Sequence, residues 1–150
     1  MNISFETPNQ PDVVSLIAEL DAYLYSLYPA DSVYALDIAS LDRPDVLFAV
    51  ARDGAGAALG CGAIMLTPEY GEIKRIYVRP AGRGQGLSHK LMDLLEGEAA
   101  KRGCTQFMLE TGPDNPEALA LYVKRGYTVR GPYGDYPDDP HSVFMEKAAQ

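Results

Sequence analysis

The chain has little of what would tie it to a membrane, a nucleic acid or a metal. Its 150 residues are 47% hydrophobic, yet no apolar run approaches the roughly 20 residues that span a bilayer. The opening MNISFETPNQ also lacks a basic region followed by an apolar one. These absences predict a soluble, cytoplasmic protein with no membrane partner. Basic residues are the minority, 13 Lys and Arg against 21 Asp and Glu, for a formal net charge of -8. A surface of that sign releases no counterions from a nucleic-acid backbone, so no nucleic-acid partner is expected. Cysteine is scarce: Cys61 and Cys104 sit in apolar, strand-like contexts without metal-ligand spacing. They read as two buried reduced thiols rather than a disulfide or a nucleophile, and no metal is expected. No repeat, low-complexity tract or linker interrupts the chain, and its length suits one core, so a single domain over 1–150 is expected.

What is present is a sequence of short, well-punctuated elements. Ile3 to Phe5 reads as a first strand. Pro11 to Leu27 carries apolar residues at 13, 16, 17, 20, 24 and 27, the spacing of an amphipathic helix. Pro29 stops it, a short second helix is expected around Ala35 to Leu41, and Pro44 closes that region. The period then changes: VLFAVAR, ALGCGAIMLT and EIKRIYVR, joined by short turns, predict an antiparallel three-strand meander. Leu87, Leu91, Leu94, Leu95 and Ala99 mark one face of a helix ended by Gly103. Thr105 to Thr111 is a strand, Asn115 caps a short helix with Pro116 in its first turn, and Gly126 ends it. YTVR and SVFMEK supply two last strands. Strands and helices mixed around one sheet make an α+β domain.

Against the acidic background, Lys74, Arg75, Arg79, Arg83 and Lys90 concentrate basic groups in one short segment. Within it lies RPAGRGQGLSHKLM, between a strand and a helix. A glycine-rich turn feeding a helix N-terminus presents free N–H groups to an anion, so this junction predicts a phosphate-bearing ligand. The stretch lacks the GK[ST] of a nucleotide-triphosphate loop, which argues against an NTPase. A dinucleotide site requires a parallel βαβ unit, and the preceding strand belongs to a meander. Glu110 does end the next strand, which leaves that reading weakened but open.

The loop resembles the phosphate signature of the GNAT superfamily of N-acetyltransferases, Q/R-x-x-G-x-G/A, here Arg83, Gly84, Gln85, Gly86, Leu87, Ser88. Ser88 stands where Gly or Ala is usual and is small enough to keep the backbone approachable. The strand EIKRIYV before the loop, the segment PDNPEALALYVKRGY after it, and the element order extend the resemblance over roughly residues 46 to 130. It implies a GNAT-like fold with a mixed, mostly antiparallel sheet of about seven strands and about four helices. It also implies acetyl-CoA as co-substrate, with its pyrophosphate on the backbone of Arg83 to Ser88. The pantetheine arm would pair like an added strand with Ile76, Tyr77 and Val78.

By the same resemblance, Tyr122 is the acid that protonates the departing thiolate, and Glu72 is a base acting through water. A purely structural reading of each stays open: a core aromatic three residues from Leu119, and an exposed glutamate beside a turn. Asn115 is implied to contact the cofactor arm, besides serving as a helix cap. Acceptor pockets in the family draw on the first helices and the loop before the last strand. That points to Tyr23, Tyr25, Tyr28 and Tyr34, and to Tyr136 and His141 in GPYGDYPDDPHSVF. Tyrosines among acids suit a small cation. The expected activity is acetyl transfer to a primary amine of a small molecule or protein by direct attack in a ternary complex, with a homodimer as one possible assembly. The alternative is a non-catalytic acyl-CoA-binding sensor.

Overall fold

The chain opens with β1 (Asn2–Phe5), which lies antiparallel against the outer edge of β2 (Val46–Arg52). β2, β3 (Ala58–Leu66) and β4 (Gly71–Val78) form the expected antiparallel meander. In this computed structural model, which describes residues 1–149, β5 (Gln106–Thr111), β6 (Thr128–Arg130) and β7 (Val143–Ala148) complete one seven-stranded sheet. Its order is β1-β2-β3-β4-β5-β7-β6, and β4 to β5 is the parallel junction. No helix among the described residues is long and apolar enough to cross a membrane.

Four helices flank the sheet. Helix α1 (Pro11–Leu27) buries Val13, Leu16, Ile17 and Leu20, the i, i+3, i+4, i+7 stripe that its spacing demands. It packs on the face carrying Val46, Phe48, Val50 and Ala63. Helix α2 (Ile38–Leu41) begins three residues later than its sequence suggests. Asp37 accepts the Ser40 N–H at 2.8 Å and sets the start, because a carboxylate at the N-cap satisfies a donor that has no partner inside the helix. Leu36 stays outside the helix, where the Arg75 guanidinium takes its carbonyl.

Helices α3 (Leu87–Lys101) and α4 (Pro116–Lys124) cover the opposite face. Leu91, Leu95 and Ala99 of α3 and Tyr122 of α4 meet Ala49, Ile64, Ile73 and Leu109 of the sheet in one core. A third, smaller cluster of Met108, Tyr133 and Phe144 lies under the 131–142 segment. Cys61 is buried and Cys104 half-buried, both as free thiols, so Cys104 is more accessible than its apolar context suggests.

Candidate active site

The site originates in a flaw in β4. Between the pairs Cys61↔Tyr77 and Ala63↔Lys74, one β3 residue faces two β4 residues. That is a β-bulge, which bends its strand and raises its twist. Arg75 at this bulge has φ 61°, a conformation that disfavours any residue with a Cβ by roughly 1–2 kcal/mol. Its side chain holds it there. The guanidinium donates twice to the Leu36 carbonyl, at 3.1 and 2.7 Å, and pairs with Asp21.

β4 and β5 consequently part company. Their pairing covers only Gly71↔Phe107, Glu72↔Met108 and Ile73↔Leu109. Past Ile73 the strands diverge, leaving the β5-facing backbone of Ile76, Tyr77 and Val78 without a strand beside it. A groove of ≈ 360 Å³ runs along these three residues to Arg83, Ser88 and α4. Unpaired strand edges of this kind accept an extended ligand through main-chain hydrogen bonds.

At the far end of the groove, Gly84 and Gly86 adopt φ 79° and 71°, turning the chain into α3 with its amides outward. The first helical bond is Lys90 N–H to Gly86 O at 3.1 Å. The N–H groups of Gly84 to His89 meet no protein acceptor among the described residues. A Cβ built on either glycine would touch nothing within 4 Å, so the turn is open to an approaching anion, and the helix dipole favours one. Leu87 contributes backbone only, since its side chain lies in the core. Arg83 is exposed and reaches back to the Val78 carbonyl at 3.3 Å.

A second cavity, ≈ 120 Å³, occupies the mouth of the strand divergence. Leu20, Ile76, Asn115, Ala118 and Tyr122 line both spaces and form the neck between them. Tyr122 is 8% exposed. Among the described residues its hydroxyl has no protein partner, yet it is not sealed from solvent. Burial and then the Glu110 charge push its phenol above the usual range, so the proton stays on. Asn115 caps α4 through the Ala118 N–H at 3.4 Å while lining the neck, so its two expected roles are compatible.

Glu110, which the sequence offered only to a dinucleotide site, lines the inner cavity. It shares a sheet face with Met108, opposite the core residues Phe107 and Leu109, by simple strand alternation. Burial raises its carboxyl to about 7, against smaller opposing effects of the Ser142 hydrogen bond and the Lys74 charge. Ser142 Oγ donates to Oε2 at 2.9 Å.

Glu72 differs from its expected setting. It is 3% exposed, not solvated beside a turn, and it does not line the inner cavity. Its Oε2 accepts the hydroxyls of Tyr133 at 2.7 Å and Tyr136 at 2.6 Å, with Lys74 Nζ at 3.5 Å.

The tyrosines divide by where they stand relative to the two spaces. Tyr28 and Tyr34 line the inner cavity with His141. The Tyr28 hydroxyl accepts the Asp114 N–H at 3.0 Å. It lies so close to Gly112 that a Cβ there would fall 1.9 Å from the hydroxyl. His141 meets the Tyr28 ring edge-on at 6.3 Å. Tyr23 lines the outer groove, and Tyr25, one residue from the cleft-facing Leu24, is 55% exposed and lines neither space. Tyr136 stands behind the wall, bonded to Glu72 and Lys74.

A splayed parallel junction with an open helix N-terminus at one end, and a cavity lined by Glu110 at the other, forms one elongated cleft. The model of the acetyltransferase (GNAT) family matches residues 13–127, and the chain belongs to that family. It is 46% identical over 149 residues to the IAA acetyltransferase of Azospirillum brasilense, covering 98% of this chain and 97% of that protein. It is 33% identical over 150 residues to the N-acetyltransferase YsnE of Bacillus subtilis (strain 168), covering 98% and 99%. Among solved structures, an acyl-CoA N-acyltransferase of Klebsiella pneumoniae subsp. pneumoniae MGH 78578 superposes with a TM-score of 0.84 at 38% identity, over 99% of this chain and 97% of that one. The protein is thus an acetyltransferase that draws its acetyl group from acetyl-CoA.

Proposed function

We propose that the enzyme transfers the acetyl group to a primary amine of a small molecule, by direct attack with both substrates held in the cleft at once. The observation that carries this reading is the neck at Tyr122. It joins a strand-edge groove ending in free amides to a separate cavity that holds a carboxyl group. Two spaces meeting at one reactive point suit two substrates better than a shuttle through an enzyme-bound acetyl group. The buried Cys61 thiol, raised to about 12 by burial, offers no nucleophile.

The residues fit acetyl-CoA by the structure's own features. The amides of Gly84 to His89 would hold the pyrophosphate, and Ile76 to Val78 would pair with the pantetheine arm. Acetyl-CoA supplies an activated thioester: transfer breaks its C–S bond, forms an amide C–N bond, and takes two of the three ammonium protons from nitrogen, one ending on sulfur and the other in solvent. Glu110 accepts a proton from the acceptor nitrogen, and its pKa near neutrality matches that task. Tyr122 delivers the proton to the sulfur; its phenol is a weaker acid than a thiol and stays loaded until the sulfur leaves. Glu72 acts as a positioning residue, fixing Tyr136 behind the cavity and Lys74 in its wall.

Calorimetric titration with acetyl-CoA, alongside thiol-release kinetics, tests this. Gly86→Glu should abolish binding, since it places bulk, charge and a disfavoured φ where the anion must sit. Tyr122→Phe should bind acetyl-CoA normally and lose about 10²–10⁴ in kcat. Full activity in Tyr122→Phe, or intact affinity in Gly86→Glu, would overturn the reading.

A further inference from the structure

The inner cavity carries information about the acceptor that the reaction class does not. Glu110 is the acidic side chain lining it, and its single protein hydrogen bond comes from Ser142. Lys74 and Arg75, the cations on the same wall, are already paired. Lys74 Nζ donates to the Tyr34 carbonyl at 3.2 Å and the Tyr136 hydroxyl at 2.5 Å, and lies 3.5 Å from Glu72. Arg75 is bound to Leu36 and Asp21. The groups facing Glu110 from other elements are the phenols of Tyr28, Tyr34 and Tyr122, His141, and Asp139, whose carboxylate accepts the Tyr34 hydroxyl at 2.7 Å.

The remaining walls set the apolar side chains of Leu20, Leu24, Val33, Leu36, Ile73 and Ala118 beside the polar Ser32, Thr111 and Asn115. At ≈ 120 Å³ the space is of the order of an engineered cavity that admits one benzene ring. A ligand placed there finds one counter-charge for a cation and apolar surface for its body. It finds no free cation for a carboxylate, and the nearby Asp139 lies outside the lining with both carboxylate oxygens taken by the Tyr34 hydroxyl and the His141 N–H. Burying an unpaired charge is heavily disfavoured.

We infer that the acceptor is a primary amine bearing a single positive charge and a compact apolar or one-ring aromatic body. Its ammonium would sit at Glu110, and its body against Leu24, Val33 and Leu36. Amino-acid zwitterions are disfavoured by the lack of a free cation, and polyamines by the single acid that lines the cavity. This inference rests on the acetyl-transfer reading above and narrows it.

The test is thiol release by the full-length enzyme at saturating acetyl-CoA with three probes: 2-phenylethylamine, phenylalanine and spermidine. The first should exceed each of the others by at least about tenfold in kcat/KM, the scale on which apolar pockets discriminate. Leu24→Arg, which puts a guanidinium on the wall, should narrow the gap between phenylalanine and 2-phenylethylamine through a lower KM for the amino acid. Preference for phenylalanine or spermidine, or no turnover of 2-phenylethylamine by enzyme that binds acetyl-CoA, would overturn the acceptor assignment alone. Failure to bind acetyl-CoA would instead overturn the reading on which it rests.

Discussion

Glu96 and Glu110 are both withdrawn from water, and the protein treats them in opposite ways. Glu96, on α3, accepts the Tyr127 hydroxyl at 2.7 Å, Arg125 at 2.9 Å and Lys147 at 3.0 Å. It ties α3, the end of α4 and β7 into one clamp. Glu110, at the end of β5, has Ser142 and a cavity. A buried charge with every lone pair matched is scaffold, and removing it strands its partners. A buried acid left short of partners stores a cost that a substrate can relieve, so its pKa moves toward the pH at which it works. The same residue type is thus fully tied into the scaffold on one side of the sheet and left with one protein partner beside a cavity on the other.

The contrast is sharpest in activity. Glu110→Gln keeps the Ser142 contact and the shape of the cavity, and should lower kcat/KM with an amine acceptor by about 10²–10⁴ in a thiol-release assay. Glu96→Ala should act on stability instead. Leaving Arg125 buried without its main carboxylate should cost about 3–5 kcal/mol, read as a lower urea midpoint with unchanged slope. The fraction that remains folded should still bind acetyl-CoA normally. If Glu96→Ala proved neutral, the clamp would be dispensable and the distinction between the two carboxyls would fail.

A smaller effect separates them by pH. Burial raises the folded pKa of Glu110 to about 7 from its ordinary 4.5, so between those values the folded state holds more proton than the unfolded one. Its contribution to stability is therefore complete below about pH 4.5 and is lost as pH rises to about 7. Glu110→Gln should remove that slope and make the protein more stable than wild type at pH 8, by about 1–3 kcal/mol. Urea titrations at pH 5 and pH 8 check it, and an identical slope in the variant would contradict the burial account.

Much of this was legible in the sequence. The spacing of Val13, Leu16, Ile17 and Leu20 marks α1, Pro116 and Asn115 mark α4, and short runs bounded by turns mark β2 to β4. Those signals are local, and local chemistry decides them. Gly84 and Gly86 advertise an unusual backbone and do adopt it. The bulge at Arg75 is not legible, because an arginine announces no left-handed φ. Tertiary bonds to Leu36 and Asp21 hold it there, and the same bonds keep Leu36 out of α2. The exchange of emphasis between Glu72 and Glu110 depends on which acid the 131–142 segment satisfies. Tyr133 and Tyr136 close on Glu72 across more than sixty residues of chain, and no spacing rule encodes that choice. Alternation along Phe107 to Glu110 offered the one sequence signal for Glu110, a charged side chain on the face opposite two core residues.

The most direct test of the central claim, that the under-partnered Glu110 takes the proton, is the pH dependence of kcat/KM for acetyl transfer to 2-phenylethylamine in wild type, Glu110→Gln and Glu72→Gln. The account predicts a wild-type rise with an inflection near 7, retained in Glu72→Gln and absent from a slow Glu110→Gln. An inflection that survives in Glu110→Gln and vanishes in Glu72→Gln would contradict it.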